Sequence, residues 1–161
     1  LACAKAGARE VVAVESGGDS FERLRANAAR NGLAVQAERA DVAEYLRRAG
    51  RAGEKFDLII LDPPSFTKSR GRVNDALRGY RDLHVHAGAL LEPGGLLATF
   101  SCSHHIDIVS FLDVACAGLY DARRTARLIG EFRQSPDHPI VLHMPETFYL
   151  KGLLLEMMPG R

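Results

Sequence analysis

Phe56-Asp57-Leu58-Ile59-Ile60-Leu61-Asp62-Pro63-Pro64 is the stretch on which the fold turns. A short apolar run stopped by two prolines reads as a buried strand of a parallel sheet, because Pro63 and Pro64 cannot donate to a ladder. Upstream, Val11-Val12-Ala13-Val14-Glu15 is a second such run, ending in an acid. Residues 19–31 then carry Phe21, Leu24 and Ala28 at helical spacing before an Asn31-Gly32 stop. A short strand over 34–38 and a helix over 42–49 complete that half. Downstream, 66–74 reads as an exposed basic loop and 75–91 as a helix closed by Pro93-Gly94-Gly95. A strand over 96–101, a helix over 107–119, a strand over 129–132, an irregular loop over 135–147 and a last strand over 148–157 follow. Alternating apolar runs and amphipathic helices predict one α/β domain over residues 1–161, without repeats or linkers.

Composition bounds the function. With 161 residues, 47% hydrophobic and 25% charged, the chain has the make-up of a globular protein with a real core. A net charge of +1 argues against tight, purely electrostatic binding of nucleic acid by this segment. Cys3, Cys102 and Cys116 have no zinc or disulfide spacing and fit a reducing cytoplasm; no metal site is expected. No apolar run reaches the roughly 20 residues of a membrane span, and no signal peptide is visible. Leu1 to Gly7 reads as the end of a helix with its glycine stop, so the chain is expected to be a fragment lacking its N-terminal portion.

Ligands of open parallel sheets bind beyond the carboxyl ends of the strands. That rule singles out Glu15, Asp41, Asp62 and Ser101-Cys102-Ser103. Glu15 reads either as an acceptor for two ribose hydroxyls or as a helix-capping carboxylate. Asp41, just before a helix, reads on its own as an N-cap. In Asp62-Pro63-Pro64 the prolines hold a strand-end carboxylate in a rigid exposed turn, where it can meet the Watson–Crick edge of an extruded base. Cys102 stands among polar residues with His104-His105 after it, a setting in which a nearby cation or dipole favours the thiolate. Cys3 and Cys116 are expected to be core or helix-packing cysteines.

With Asp62-Pro63-Pro64-Ser65-Phe66 and Ser101-Cys102-Ser103 in one chain, the sequence resembles the bacterial 23S ribosomal RNA cytosine-5 methyltransferase family, within the class I methyltransferases. Arg78-Gly79-Tyr80-Arg81-Asp82-Leu83, Phe132-Arg133-Gln134, Asp137-His138-Pro139 and Tyr149-Leu150-Lys151-Gly152 extend the resemblance in order from about Ala8 to Met157. It implies a Rossmann-like, doubly wound α/β fold whose mostly parallel sheet has an antiparallel last strand. The first strand, with its glycine-rich loop, is missing from this chain; the resemblance places it between the strands ending at Glu15 and Asp62. Weak cofactor binding and low stability of the fragment are therefore expected.

The resemblance further implies S-adenosyl-L-methionine as cofactor. Glu15 would take its ribose, Asp41 and Val42 its adenine, and Asp62 with Pro63 would also line its site. Asp62 and Pro64 would hold a flipped cytosine, and Cys102 would attack carbon 6. Lys68, Arg70, Arg72 and Arg78 are candidates for an RNA-facing patch; Tyr80 reads first as a helix-packing residue and second as a candidate for stacking on a base. His138 and Lys151 match the family without an assigned role. The implied partner is ribosomal RNA, reached in the cytoplasm with the help of an N-terminal RNA-binding domain that is absent here. A homodimer is among the assemblies the resemblance allows. Two rival readings stand beside this one. An amino-group RNA methyltransferase also uses an Asp-Pro-Pro turn, but with an aromatic directly after it, where this chain has Ser65. The other rival is a truncated, non-catalytic RNA-binding domain.

Overall fold

A computed structural model describes residues 1–67 and 70–159 of the chain, apart from the side chain of Arg70. The chain forms two compact units, the first ending at Arg48 and the second beginning at Ala49.

In the first unit, helix α1 (Ala2–Lys5) ends as expected at Gly7, whose φ of 96° only glycine adopts without strain. Strands β1 (Val12–Val14) and β2 (Gln36–Glu38) pair in parallel, with Val14 opposite Glu38. Between them lies helix α2 (Gly18–Arg30), which stops at Asn31 and at Gly32 with φ 62°. Helix α3 (Val42–Ala52) runs past the expected end at Ala49 and breaks only at Gly53, which has φ 73°. A glycine within a helix weakens it but does not force an end, so Gly50 is crossed.

The second unit holds a four-stranded sheet built from β3 (Phe56–Leu61), β4 (Leu91–Ser101), β5 (Ala126–Phe132) and β6 (Lys151–Met157), in the order β3-β4-β6-β5. β3 and β4 are parallel, whereas β6 runs antiparallel to both β4 and β5. The last strand is thus the reversed one, as the family resemblance implied. Helices α4 (Val73–Leu90) and α5 (Ile108–Asp121) pack against each other, burying Tyr80, Leu83, His84 and Ala87 from one and Phe111, Ala115 and Leu119 from the other. Close approach depends on Gly118, where an added Cβ would come within 2.6 Å of His84 Cβ.

Three local expectations change. Pro93-Gly94-Gly95 does not close a helix but forms an excursion within β4: Leu91 pairs with Phe56 and the ladder resumes with Leu96 opposite Leu58. β3 is not buried on both faces: Ile59 and Leu61 are buried, while Leu58 and Ile60 on the opposite face are exposed. The last strand starts at Lys151 rather than 148, because Phe148 lies under the Arg133 guanidinium and the Tyr149 carbonyl accepts from Lys151 Nζ. Among the described residues no helix is long and apolar enough to cross a membrane.

Candidate active site

Each strand-end acid occupies the place its sequence position predicts. Glu15 follows β1, and its Oε1 accepts the main-chain N–H of Gly17, the residue that opens α2, at 2.7 Å. This is the capping alternative, and it uses one oxygen. The other takes no hydrogen bond among the described residues, so the carboxylate keeps an acceptor for hydroxyl donors. Asp41 is the N-cap of α3, with Oδ1 accepting from the N–H groups of Ala43 (2.9 Å) and Glu44 (3.1 Å). Val42, half-buried, begins that helix.

In the second unit the carboxyl ends of β3 and β4 lie side by side, since Leu61 pairs with Thr99. Asp62 is exposed, Pro63 buried and Pro64 exposed, so the rigid turn presents the carboxylate to solvent. Cys102 follows β4 with its side chain half-buried, between Ser101 and Ser103, which have no exposed surface. Alternation along an extended chain explains this: neighbours i−1 and i+1 face inward and the thiol faces outward. The two turns are joined by the Ser65 and Ser103 hydroxyls, which share a hydrogen bond at 3.1 Å. Ser65 Oγ also donates to the Thr67 carbonyl at 2.8 Å.

Ser103 is the node of the site. Its hydroxyl meets Ser65 and the Tyr80 hydroxyl (3.2 Å), its N–H donates to Ser101 Oγ at 3.3 Å, and its carbonyl accepts from Lys151 Nζ at 2.7 Å. Four groups therefore fix the residue next to the thiol. Burial raises the Tyr80 phenol, against the hydrogen bonds of Ser101 and Ser103, while the charges of Cys102 and Asp62 add to the rise. Tyr80 thus senses both turns.

Other expected residues are placed differently. Of the two readings of Tyr80, helix packing holds over base stacking: its ring is buried, 4.6 Å from the Phe66 ring and 5.3 Å from that of Phe111. Only its hydroxyl reaches the site. Arg78 is exposed but ion-paired to Asp75, and Arg72 lies 3.7 Å from the same carboxylate, so these charges are partly offset. Lys68 and the side chain of Arg70 lie outside the described residues. Cys116 is not a packing residue: it is exposed on α5, and Cys3 is intermediate. A run with few charges hides which residues of an amphipathic helix face out.

Two parts of the site were not assigned from sequence. Ser103 carried a signal only through its i+2 relation to Ser101 in an extended segment. Lys151 carried a clearer one: it is a lone charge in the otherwise apolar run Tyr149–Leu155, and such a residue needs partners if buried. Two grooves lie elsewhere, one of about 590 Å³ along α2 lined by Leu24, Arg25 and Val35, and one of about 350 Å³ between α4 and α5. Neither is lined by Asp62 or Cys102.

Comparison with known proteins agrees with this architecture. The family model described as "Conserved hypothetical protein 95" matches residues 2–99. The Ribosomal RNA large subunit methyltransferase I of Erwinia tasmaniensis is 42% identical over 147 residues, 89% of this chain and 37% of that protein. That of Aeromonas salmonicida is 42% identical over 154 residues, 94% of this chain and 39% of that protein. The chain thus spans less than two fifths of the length of these curated relatives. A crystal structure of a putative methyltransferase complexed with SAH superposes with a TM-score of 0.83 at 22% identity, over 96% of this chain and 41% of that one. At that identity the likeness establishes the fold, which is the Rossmann-like fold of class I methyltransferases.

Proposed function

The chain belongs to the family described as conserved hypothetical protein 95, and on that premise we propose that it is the catalytic part of an S-adenosylmethionine-dependent methyltransferase acting on carbon 5 of a cytosine in large-subunit ribosomal RNA. The observation that carries this reading is the Ser65–Ser103 bond, which ties the Asp62 turn to the Cys102 turn at one end of the β3–β4 pair. A carboxylate and a half-exposed thiol held on neighbouring strand ends are the two groups that the reaction needs. The names of the 42% identical relatives support ribosomal RNA as substrate, and the SAH in the structural neighbour supports the cofactor.

The donor set fits that cofactor. Glu15 retains a free carboxylate oxygen for ribose hydroxyls, and Asp41 retains Oδ2 for an exocyclic amine, each held by a helix N-terminus. The bound cofactor supplies an electrophilic methyl group. Carbon 5 of cytosine is a poor nucleophile until a thiolate adds to carbon 6. Cys102 forms the S–C6 bond, and the C5=C6 electron pair moves toward N3, which takes a proton with the help of Asp62. Carbon 5, now enamine-like, accepts the methyl. The carbon 5 proton then passes to water, its bonding pair re-forms the C5=C6 bond, the C6–S pair returns to Cys102, and N3 releases the proton it took. Pro63 and Pro64 contribute by holding Asp62 rigid, so little reorganisation is needed when charge develops. Lys68, Arg70, Arg72 and Arg78 would contact phosphates rather than bases, fixing register without reading sequence.

The test is to incubate the full-length protein with cofactor and large-subunit ribosomal RNA and identify the methylated nucleoside by mass spectrometry. 5-Methylcytidine lost in Cys102→Ala is the expected result. An amino-methylated purine that survives Cys102→Ala would establish the amino-group rival instead. Neither product, from a protein that retains RNA binding, would favour the non-catalytic reading.

A further inference from the structure

The strongest feature outside that mechanism is a cation inside the second unit. Lys151, at the start of β6, is 6% exposed. Its Nζ donates to two main-chain carbonyls, Ser103 O at 2.7 Å and Tyr149 O at 2.6 Å, and it takes part in no ion pair among the described residues. Carbonyl dipoles solvate an ammonium but leave its charge uncancelled. Burying a charge without a counter-charge is costly. A bridging role alone therefore does not account for a lysine here.

We propose that Lys151 is a positioning residue for Cys102: it clamps the peptide that follows the thiol and keeps a positive charge facing the thiolate. This inference rests on the reading of Cys102 as the nucleophile. The ladder supplies the geometry. Lys151 is the register partner of Ser101, the residue before the thiol, and its ammonium grips Ser103, the residue after it. Cys102 is bracketed by one residue, through its backbone on one side and its side chain on the other.

Among the described residues, the charges of Cys102, after β4, and Asp107, the N-cap of α5, act on Lys151, and those of Cys102 and Asp62 act on Tyr80 of α4; His104 and His105 follow the thiol in the chain. Burial pushes the Lys151 ammonium below its ordinary range, and the negative charges of Cys102 and then Asp107 pull it back up. In the reaction Lys151 gives up no proton. The thiol proton passes to solvent, the sulfur pair forms the bond to carbon 6, and the same pair returns to sulfur when the base leaves.

The test uses the full-length protein and the rate of alkylation of Cys102 by iodoacetamide, followed across pH by peptide mass. Lys151→Gln keeps N–H donors for the carbonyls and removes the charge, while Lys151→Arg keeps the charge. We expect Lys151→Gln to slow alkylation at pH 7 about tenfold and to move the rise of the profile to higher pH. Lys151→Arg should stay within about threefold of the parent. Methyl transfer by Lys151→Gln should fall in kcat with the KM for RNA unchanged. A folded Lys151→Gln with the parent profile would overturn the proposal. If that variant does not fold, the parent decides alone: Cys116 is more exposed than Cys102, so Cys102 reacting no faster than Cys116 at pH 7 overturns it, and reacting faster sustains it. Alkylation needs neither RNA nor cofactor. A charge-dependent profile without 5-methylcytidine product would therefore sustain this inference and overturn the cytosine reading alone.

Discussion

Lys151 Nζ donates to the carbonyl of Ser103 at 2.7 Å, so the reversed strand β6 holds the residue that follows the candidate nucleophile. Through Ser103 the same residue is held by Ser65 from the turn after β3 and by Tyr80 from α4. Three elements distant in sequence converge on one serine. The thiol next to it is therefore presented by a fixed peptide rather than by a free loop, which is what an addition to carbon 6 requires.

Ser103→Ala removes the hydroxyl that Ser65 and Tyr80 share, while Ser65 keeps the Thr67 carbonyl and Tyr80 keeps Ser101 as partners. The net loss of an intramolecular hydrogen bond is about 0.5–1.5 kcal/mol, and urea unfolding of the variant should register a loss of that size. Methyl transfer should fall about tenfold or more, because the Asp62 and Cys102 turns are no longer tied. A variant as active as the parent would show that the tie does not matter to the reaction.

Much of this is legible in the sequence. The Asp62-Pro63-Pro64 stop, the glycine breaks at Gly7 and Gly32 and the N-cap at Asp41 all act through local backbone chemistry, and each lies where that chemistry puts it. Non-local pairings were harder. Pro93-Gly94-Gly95 has the composition of a helix stop, yet only the register with β3 makes it an excursion inside a strand. Tyr80 has a side chain equally suited to stacking on a base or on Phe66 and Phe111, and the packing of α5 decides between them. Whether Leu58 and Ile60 are buried likewise depends on what covers their face, which the apolar run itself does not encode.

Gly152 explains why the lysine is followed by glycine. It lies opposite Phe100 of β4 and Phe132 of β5, whose rings stack 5.7 Å apart. An added Cβ would come within 2.6 Å of the Phe100 ring and 2.9 Å of Phe132 Cβ. A ring can turn away, but a Cβ moves only with its strand. Gly152→Ala should therefore destabilise by about 1–3 kcal/mol through overpacking, measured by urea unfolding, and should weaken the β5–β6 pairing as read by amide exchange. Stability equal to the parent would mean that β5 yields at no cost.

His84 should govern acid stability. It has no exposed surface, Nε2 is within 3.0 Å of Thr99 Oγ1, and Nδ1 has no partner in bonding geometry, the Tyr80 carbonyl giving only partial relief. Burial pushes its pKa from 6.5 down to about 4. The unfolded chain therefore binds a proton below about pH 6.5 that the native state refuses until about pH 4. Stability is complete above that window and falls as pH drops through it, by about 3 kcal/mol in all. Comparing urea unfolding at pH 7.5 and 4.5, the parent should lose about 2–3 kcal/mol more than His84→Gln. Equal losses would show that His84 does not set the acid limit.

The central claim is a covalent bond between Cys102 and carbon 6 of cytosine, and 5-fluorocytidine tests it most directly. Fluorine at carbon 5 cannot leave as a proton does, so the adduct formed after methyl transfer should persist. Incubated with S-adenosylmethionine and large-subunit ribosomal RNA carrying 5-fluorocytidine, the full-length protein should give a denaturant-stable protein–RNA band that Cys102→Ala does not. The absence of that band, from a protein shown to bind both the cofactor and the RNA, would contradict the covalent mechanism.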